Sequence, residues 1–407
     1  MAPAVTGRPP DVTETPTSWR WHVRTGSLRE TTDAVSSLWV KVAQETSARH
    51  LAEDRRDGLD PFEEMPTDPR LATSLRDGEG EGVRLRMRTS VLTLVVVAPR
   101  PEVVERAMAT VVTLAARHPS RAVILSPTDP DGPSAFDAHV YASCQLPERG
   151  STEICTEEIL IRVGGELSQH LGATVAPLLI HDLPVVLWWP DDVPFGRHPF
   201  LELAAVCDRL FVDSGHFRSD GRARMRSMAE SRRDGLVVHD LSWMRLMLWR
   251  ELLASLFDHP LLQPELRSIG AIHVDVARPG RQDRLARALL FVGWLMAMLR
   301  FTVGKPLELR GDGSWAATLR SGKREIEVTI SPVAVEYSGA VRSPGSLVRA
   351  ELVATRPGAR TAVRVTRQAD HLLATADWNG GPVARRATRL EPFDEMPYLA
   401  AALDRTG

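Results

Sequence analysis

Between Ser90 and Val212, short aliphatic runs alternate with segments of helical period. This alternation restricts the fold more than any other feature of the 407-residue chain. Val91 to Val97 is an unbroken run rich in β-branched residues, as expected of a strand buried on both faces. Pro101 to Arg117 is helical, with Pro101 at the first helical position and Val104, Met108, Val111 and Val112 on one side. Arg121 to Leu125 is a second strand. Strand, helix and strand in about 35 residues form a βαβ unit. Strands follow at 137–146 and 154–163, a helix at 165–180, a buried strand at Pro184–Trp189, a helix at Phe200–Val206 and a strand at Arg209–Val212. Such alternation predicts an open, mostly parallel sheet flanked by helices, an α/β domain over residues 19–260.

Upstream, Val35, Leu38, Trp39 and Val42 make one apolar helical stripe that Thr31 or Thr32 could cap. Residues 1–18 are expected to be a disordered leader without a secretory signal. Residues 53–82 carry ten acidic and four basic residues and three prolines, and are expected to form a mobile acidic loop.

Downstream, Asp240 or Ser242 caps a long helix over 241–258 that His259-Pro260 stops. A strand near 270–276 and a helix over 281–300 follow. From Leu289 to Leu299 that helix is apolar all round, the longest such run in the chain. Eleven residues suit a buried core helix and are too few to span a membrane. Over 304–390, Ile326, Val328 and Ile330 alternate with Glu325, Glu327 and Thr329, and turn signals recur, Asn379-Gly380 foremost. The pattern predicts an antiparallel meander with one solvated face, closed by a helix at 393–404. Residues 261–407 therefore read as a C-terminal α+β domain.

Composition excludes several functions. A net charge of −2 speaks against a nucleic-acid partner. Cys144, Cys155 and Cys207 form no CxxC pair, which fits a cytoplasmic protein and gives no zinc site. Lys41, Lys305 and Lys323 are the lysines, and none sits in a Walker A loop. There is no G-x-G-x-x-G after a strand, no G-x-S-x-G and no H-E-x-x-H. No two of the twelve histidines stand at a metal-binding interval on one element. Local motifs therefore name no catalytic residue, no cofactor and no metal; they lower the odds of the common nucleotide- and metal-dependent enzymes and leave open a site assembled from distant residues.

Four segments stand out. Gly164-Gly165, at a strand-to-helix junction, could bind an anion through backbone N–H groups or could serve a turn. Trp188-Trp189, on the strand leading to Asp191, should point to opposite faces, one packed in the core and one able to lie near a ligand. In Asp240–Glu251, Arg245 and Trp249 are i, i+4 neighbours, a pairing found in binding hot spots and in internal cation–π contacts. His118-Pro119-Ser120-Arg121 reads as a helix stop.

Thr89-Ser90-Val91-Leu92-Thr93-Leu94-Val95-Val96, Arg117-His118-Pro119-Ser120-Arg121, Pro177-Leu178-Leu179, Asp182-Leu183-Pro184-Val185-Val186-Leu187-Trp188-Trp189-Pro190 and Asp240-Leu241-Ser242-Trp243 follow one another along the chain. In this order they resemble the glucose-6-phosphate dehydrogenase assembly protein family OpcA over roughly residues 19–310. Thr93 stands where the family pattern has Asn, and the three cysteines match no redox positions of the photosynthetic members. The resemblance implies a non-catalytic partner that binds glucose-6-phosphate dehydrogenase and favours its active oligomer, supporting the oxidative pentose phosphate pathway and NADPH supply. Trp188, Trp189, Asp191, Trp243, Arg245, Trp249 and Arg250 are the expected partner-binding residues. The alternative is a sugar-phosphate or nucleotide sensor, or a cryptic enzyme, using the α/β domain. A second copy of the chain is left open as a further partner.

Overall fold

The computed structural model describes residues 18–37, 40, 90–115, 117–145, 154–218, 221–233, 235–278, 284–335, 345–390 and 396–404. The expected leader, apart from Ser18, lies outside these residues, as do the expected acidic loop and Leu38, Trp39 and Val42.

Strand β1 (Ser18–Thr25) is the first described element and was not expected. Helix α1 follows over 28–37. Its start is set by Ser27, not by Thr31 or Thr32. The Glu30 N–H donates to Ser27 Oγ at 3.3 Å, and Glu30 Oε2 accepts the N–H of Gly26, the residue before the cap, at 2.9 Å. Thr31 lies inside the helix, where its hydroxyl donates to the Ser27 carbonyl.

Next come β2 (Leu92–Val97), α2 (Pro101–Ala115), β3 (Ser120–Pro127), β4 (Ala135–Gln145) and β5 (Ile154–Gly164). On α2, Val103, Val104, Ala107, Val111 and Leu114 face inward, while Val112 is exposed. The helix expected over 165–180 is three short pieces: a 3-10 turn at Gly165–Gln169, α3 (Leu171–Val175) and a 3-10 turn at Ala176–Leu178. Pro177 stands in the last of these, where its fixed φ suits a tight turn. Then follow β6 (Val185–Trp189), α4 (His198–Val206), β7 (Arg209–Val212), α5 (Gly221–Arg233) and β8 (Val237–Asp240). Helix α5, a strongly polar helix, and the short β8 escaped the sequence reading because neither has a continuous apolar face.

The first sheet has the order β1-β4-β5-β3-β2-β6-β7-β8. From β5 to β8 every pairing is parallel, while β4 runs antiparallel between β5 and β1. Numbered along the chain, the six parallel strands read 3-2-1-4-5-6, the order of a doubly wound dinucleotide-type fold. Among the described residues no helix lies between β3 and β5; β4 stands there as a strand. Both faces of the sheet are covered. Val95, Leu187, Trp189 and Phe200 share one core, and Leu94, Val96, Trp188 and Phe211 share the other.

The helix expected over 241–258 breaks at Leu246 into α6 (Leu241–Arg245) and α7 (Met247–Leu256). Strand β9 (Ile269–Ala277) and helix α8 (Ala286–Leu299) follow. Helix α8 is not buried all round: Phe291, Val292 and Leu295 pack inward while Met298 is 64% exposed.

The meander is β10 (Thr302–Leu309), β11 (Trp315–Ser321), β12 (Arg324–Val333), β13 (Leu347–Arg356), β14 (Ala359–Arg367), β15 (His371–Trp378) and β16 (Gly381–Arg389). The second sheet has the order β10-β11-β12-β9-β13-β14-β15-β16 and is antiparallel except where β12 pairs β9. Asn379 (φ 49°) and Gly380 (φ 82°) make the two-residue turn between β15 and β16 that their sequence predicts. Helices α7 and α8 cover one face, placing Trp249, Leu253, Phe291 and Leu295 against Ile272, Val274, Val363 and Leu372. Each such large side chain contributes roughly 1.5–3 kcal/mol by leaving water. Helix α9 (Met396–Asp404) then crosses back to the first sheet, where Leu399 and Leu403 join Leu94 and Trp188 in one core.

Candidate functional site

In a doubly wound sheet, ligands bind beyond the carboxyl ends of the strands where the strand order reverses, here between β2 and β6. The turn leaving β2 is Ala98-Pro99-Arg100-Pro101 and holds no glycine. Arg100 crosses the reversal point, and its Nε donates to Asp191 Oδ2 at 2.7 Å just beyond β6. Arg100 also bonds Glu102, and Arg218 lies 3.9 Å from Asp191 Oδ1. The crevice where a cofactor pyrophosphate would approach the backbone is thus closed by an arginine and a buried aspartate. Asp191 is accordingly an internal ion-pair partner, not the exposed interface residue that was expected.

The tryptophans of β6 do point to opposite faces, but both faces are core. Trp188 is wholly buried and Trp189 is 4% exposed, packed near Phe200 with ring centres 6.2 Å apart. Trp249 is also core, at 3% exposure beneath the second sheet. Helices cover both faces of the first sheet, so the strand leaves neither ring at its surface. Of the four rings singled out, Trp243 alone keeps appreciable surface. Arg250 stacks over it, with the guanidinium carbon 3.5 Å from the ring centre. Arg250 also donates to the carbonyls of Trp243 and Leu246, each at 3.3 Å. Both carbonyls already accept a backbone N–H, from Leu246 at 3.3 Å and from Arg250 itself at 3.0 Å, so the guanidinium is a second donor that ties α7 to the end of α6.

Gly164-Gly165 serves backbone geometry. The loop from β3 to β4 passes over the end of β5. A Cβ on Gly165 would stand 2.7 Å from the Ser134 nitrogen and 2.8 Å from the Gly132 carbonyl. Gly165 also holds φ at +61°, and its N–H donates to the Asp129 carbonyl at 3.0 Å. That N–H is therefore not offered to an anion.

The most developed polar cluster was largely missed in the sequence. It lies where the two sheets meet and centres on Asp213, just beyond β7 and wholly buried. Asp213 accepts from the Ser242 hydroxyl and from Arg245 Nη2 at 3.0 Å, and Arg287 Nη2 lies 3.6 Å away. Arg287 Nε donates to Ser242 Oγ at 3.1 Å and Nη1 to Ser346 Oγ at 3.2 Å. Asp240 Oδ1 accepts the N–H groups of Ser214 (3.1 Å) and Ser242 (2.9 Å). Arg245, whose side chain is 5% exposed, also lies over the Tyr398 ring at 4.5 Å. The cluster thus draws on β7, β8, α6, α8, the loop before β13 and α9. The sequence marked Asp240 and Ser242 of it as helix caps, and Arg245 as an expected partner contact; Arg245 is instead buried in this internal ion pair.

Burial works to raise the Asp213 pKa, but the charges of His216, Arg245 and Arg287 and the Ser242 hydroxyl hold it well below the usual carboxylate range. Burial and the Asp213 charge push Asp240 up to about 6. Burial brings Arg287 down to about 10, so it stays charged at neutral pH. With Asp240 ionised, two buried carboxylates face two buried guanidinium groups. A pair like this is costly to break, because each partner left alone is an uncompensated buried charge. The cluster has the properties of a fastening between the two sheets.

Comparison with known proteins agrees with the order of these parts. Residues 111–230 match the family model described as glucose-6-phosphate dehydrogenase subunit N-terminal domain, and residues 236–406 match the corresponding C-terminal domain. The protein named OpcA of Nostoc punctiforme is 30% identical over 254 residues, covering 60% of this chain and 52% of its own length. That of Synechocystis is 28% identical over 191 residues, covering 47% of this chain and 39% of its own. The chain therefore spans about half, or less, of the curated relatives it matches. Among solved structures, a 3-ketoreductase of Actinomadura kijaniata aligns with a TM-score of 0.41 and 11% identity over 77% of this chain and 88% of that one, too distant to carry an argument. Two successive domain models that together match most of the chain, with the relatives' sequence identity, establish that the chain belongs to the OpcA family.

Proposed function

We propose that this protein is a non-catalytic assembly and activation factor that binds glucose-6-phosphate dehydrogenase and favours its active oligomer. Family membership carries the reading, since both matched domains are described as those of a dehydrogenase subunit. The closed strand-reversal crevice supports it: Arg100 and Asp191 occupy the place where this fold type would hold a dinucleotide. The mechanism is linkage. A protein that binds the active oligomer more tightly than the inactive form shifts the population towards it by no more than that difference in affinity. Holding the two sheets in one orientation through Asp213, Arg245 and Arg287 keeps the binding surface pre-organised, which limits the ordering cost on association. Trp243 with Arg250 is the part of the expected interface that retains surface, and it is the proposed contact.

The test is the activity and mass of the dehydrogenase with and without this protein. Higher activity together with a shift to a larger assembly is the expected result. No change in either at saturating concentration would overturn the reading.

A further inference from the structure

His170, His198 and Glu202 come together at the carboxyl edge of the first sheet, where α3 and α4 begin. Each offers a donor atom within 4.8 Å of the other two. His198 and Glu202 stand one turn apart on α4, and His170 immediately precedes α3. Glu202 Oε1 faces both rings, 3.1 Å from His170 Nδ1 and 3.6 Å from His198 Nε2. Ligand atoms around a tetrahedral zinc ion with bonds of about 2.0 Å lie about 3.3 Å apart, between those two distances.

The surroundings orient the three donors. His198 Nδ1 lies 3.1 Å from the Gln169 carbonyl, which accepts its proton and leaves the Nε2 lone pair directed at the cluster. The Gly172 N–H donates to Glu202 Oε2 at 3.1 Å, holding the carboxylate by one oxygen and leaving Oε1 inward. Gly172 is required for this approach, since a Cβ there would stand 2.8 Å from Glu202 Cβ. Carbonyl-to-imidazole and amide-to-carboxylate contacts of this kind fix ligand orientation in metal sites.

We propose that His170, His198 and Glu202 bind a divalent, imidazole-seeking metal ion of the zinc type, which clips α3 to α4 and leaves a coordination place to water. Two imidazoles and one carboxylate are a common donor set for such an ion, and the partial exposure of the rings gives it a path of entry. The sequence did not show the site because the third ligand comes from another helix.

The experiment is a titration of the full chain with Zn²⁺ by calorimetry and with Co²⁺ by visible absorption. Saturation near one equivalent, with Co²⁺ bands of a low-coordinate site, is expected. His198→Ala and Glu202→Ala should weaken binding at least about tenfold. Glu202→Gln, which keeps an acceptor for Gly172, serves if the alanine variant does not fold. His371→Ala, on β15, should leave binding unchanged. Absence of saturable binding, or binding that His198→Ala and both Glu202 variants leave unaltered, would overturn the proposal.

Discussion

Arg245 Nη2 donates to Asp213 Oδ2 at 3.0 Å, and this contact fastens the end of β7 to the helix that leads into the second sheet. Because Arg287 from α8 approaches the same carboxylate, one side chain holds both halves of the molecule. Asp213→Ala strands two buried guanidinium groups and should cost about 3–5 kcal/mol in guanidinium denaturation. Ser242→Ala should cost about 1–3 kcal/mol. The double variant Asp213→Ala/Arg245→Ala should lose clearly less than the sum of the single losses. Additive losses would show that the residues are not coupled.

The same cluster carries two opposed pH dependences. Asp240 is raised to about 6 by burial and by Asp213, so its protonation favours the fold, and stability is lost as pH rises through about 6. His216 is lowered to about 4, chiefly by burial, so its protonation opposes the fold, and stability is lost as pH falls from about 6.5 to 4. Each amounts to about 3 kcal/mol, and the windows overlap, so the two nearly cancel. Relative to the parent, Asp240→Asn should gain stability steadily from pH 4 to 6.5, and His216→Gln should lose it. Denaturation midpoints across that range decide the matter; parallel curves for all three proteins would contradict the assignment.

The tryptophans separate into core and surface. Trp188→Ala and Trp249→Ala should each cost about 3–5 kcal/mol, since each empties a packed core position. Trp243→Ala removes the stacking with Arg250, worth about 0.5–2 kcal/mol, and should leave a folded protein. Its affinity for glucose-6-phosphate dehydrogenase should fall by more than its stability does. Unchanged affinity would move the contact elsewhere.

Gly165→Ala should destabilise by about 1–3 kcal/mol, because the added Cβ meets the Ser134 backbone at a positive φ. Gly164→Ala places its Cβ 2.8 Å from Thr128 Oγ1, the end of a short side chain, and 3.1 Å from the Pro133 carbonyl. Thermal unfolding of both variants should show the larger loss at Gly165. Equal stability of Gly165→Ala and the parent would return the pair to consideration as an anion site.

Much of the architecture was legible because period and side-chain shape are local. The run Val91–Val97 reads as a buried strand, which the structure bears out from Leu92 on with Val91 exposed, and Asn379-Gly380 reads as a hairpin turn, without reference to anything distant. The break at Leu246 was not legible. The 241–258 stretch has helical propensity throughout, and the break goes with contacts made from outside it, such as Arg245 to Asp213 beyond β7. The candidate site was the least legible. Asp213, Ser242 and Arg287 sit far apart along the chain, and none has a sequence context that marks it as buried.

By itself the sequence determined the alternating α/β order, the meander, the absence of the common nucleotide motifs and the family resemblance, since each depends on residue type at short spacing. The tertiary structure alone decided which tryptophans remain at the surface, what fills the strand-reversal crevice and which charges meet between the sheets. Burial and ion pairing depend on what packs from elsewhere in the chain. Trp188 and Trp243 show the difference: the same side chain is enclosed between sheet and helices in one place and lies under one arginine in the other.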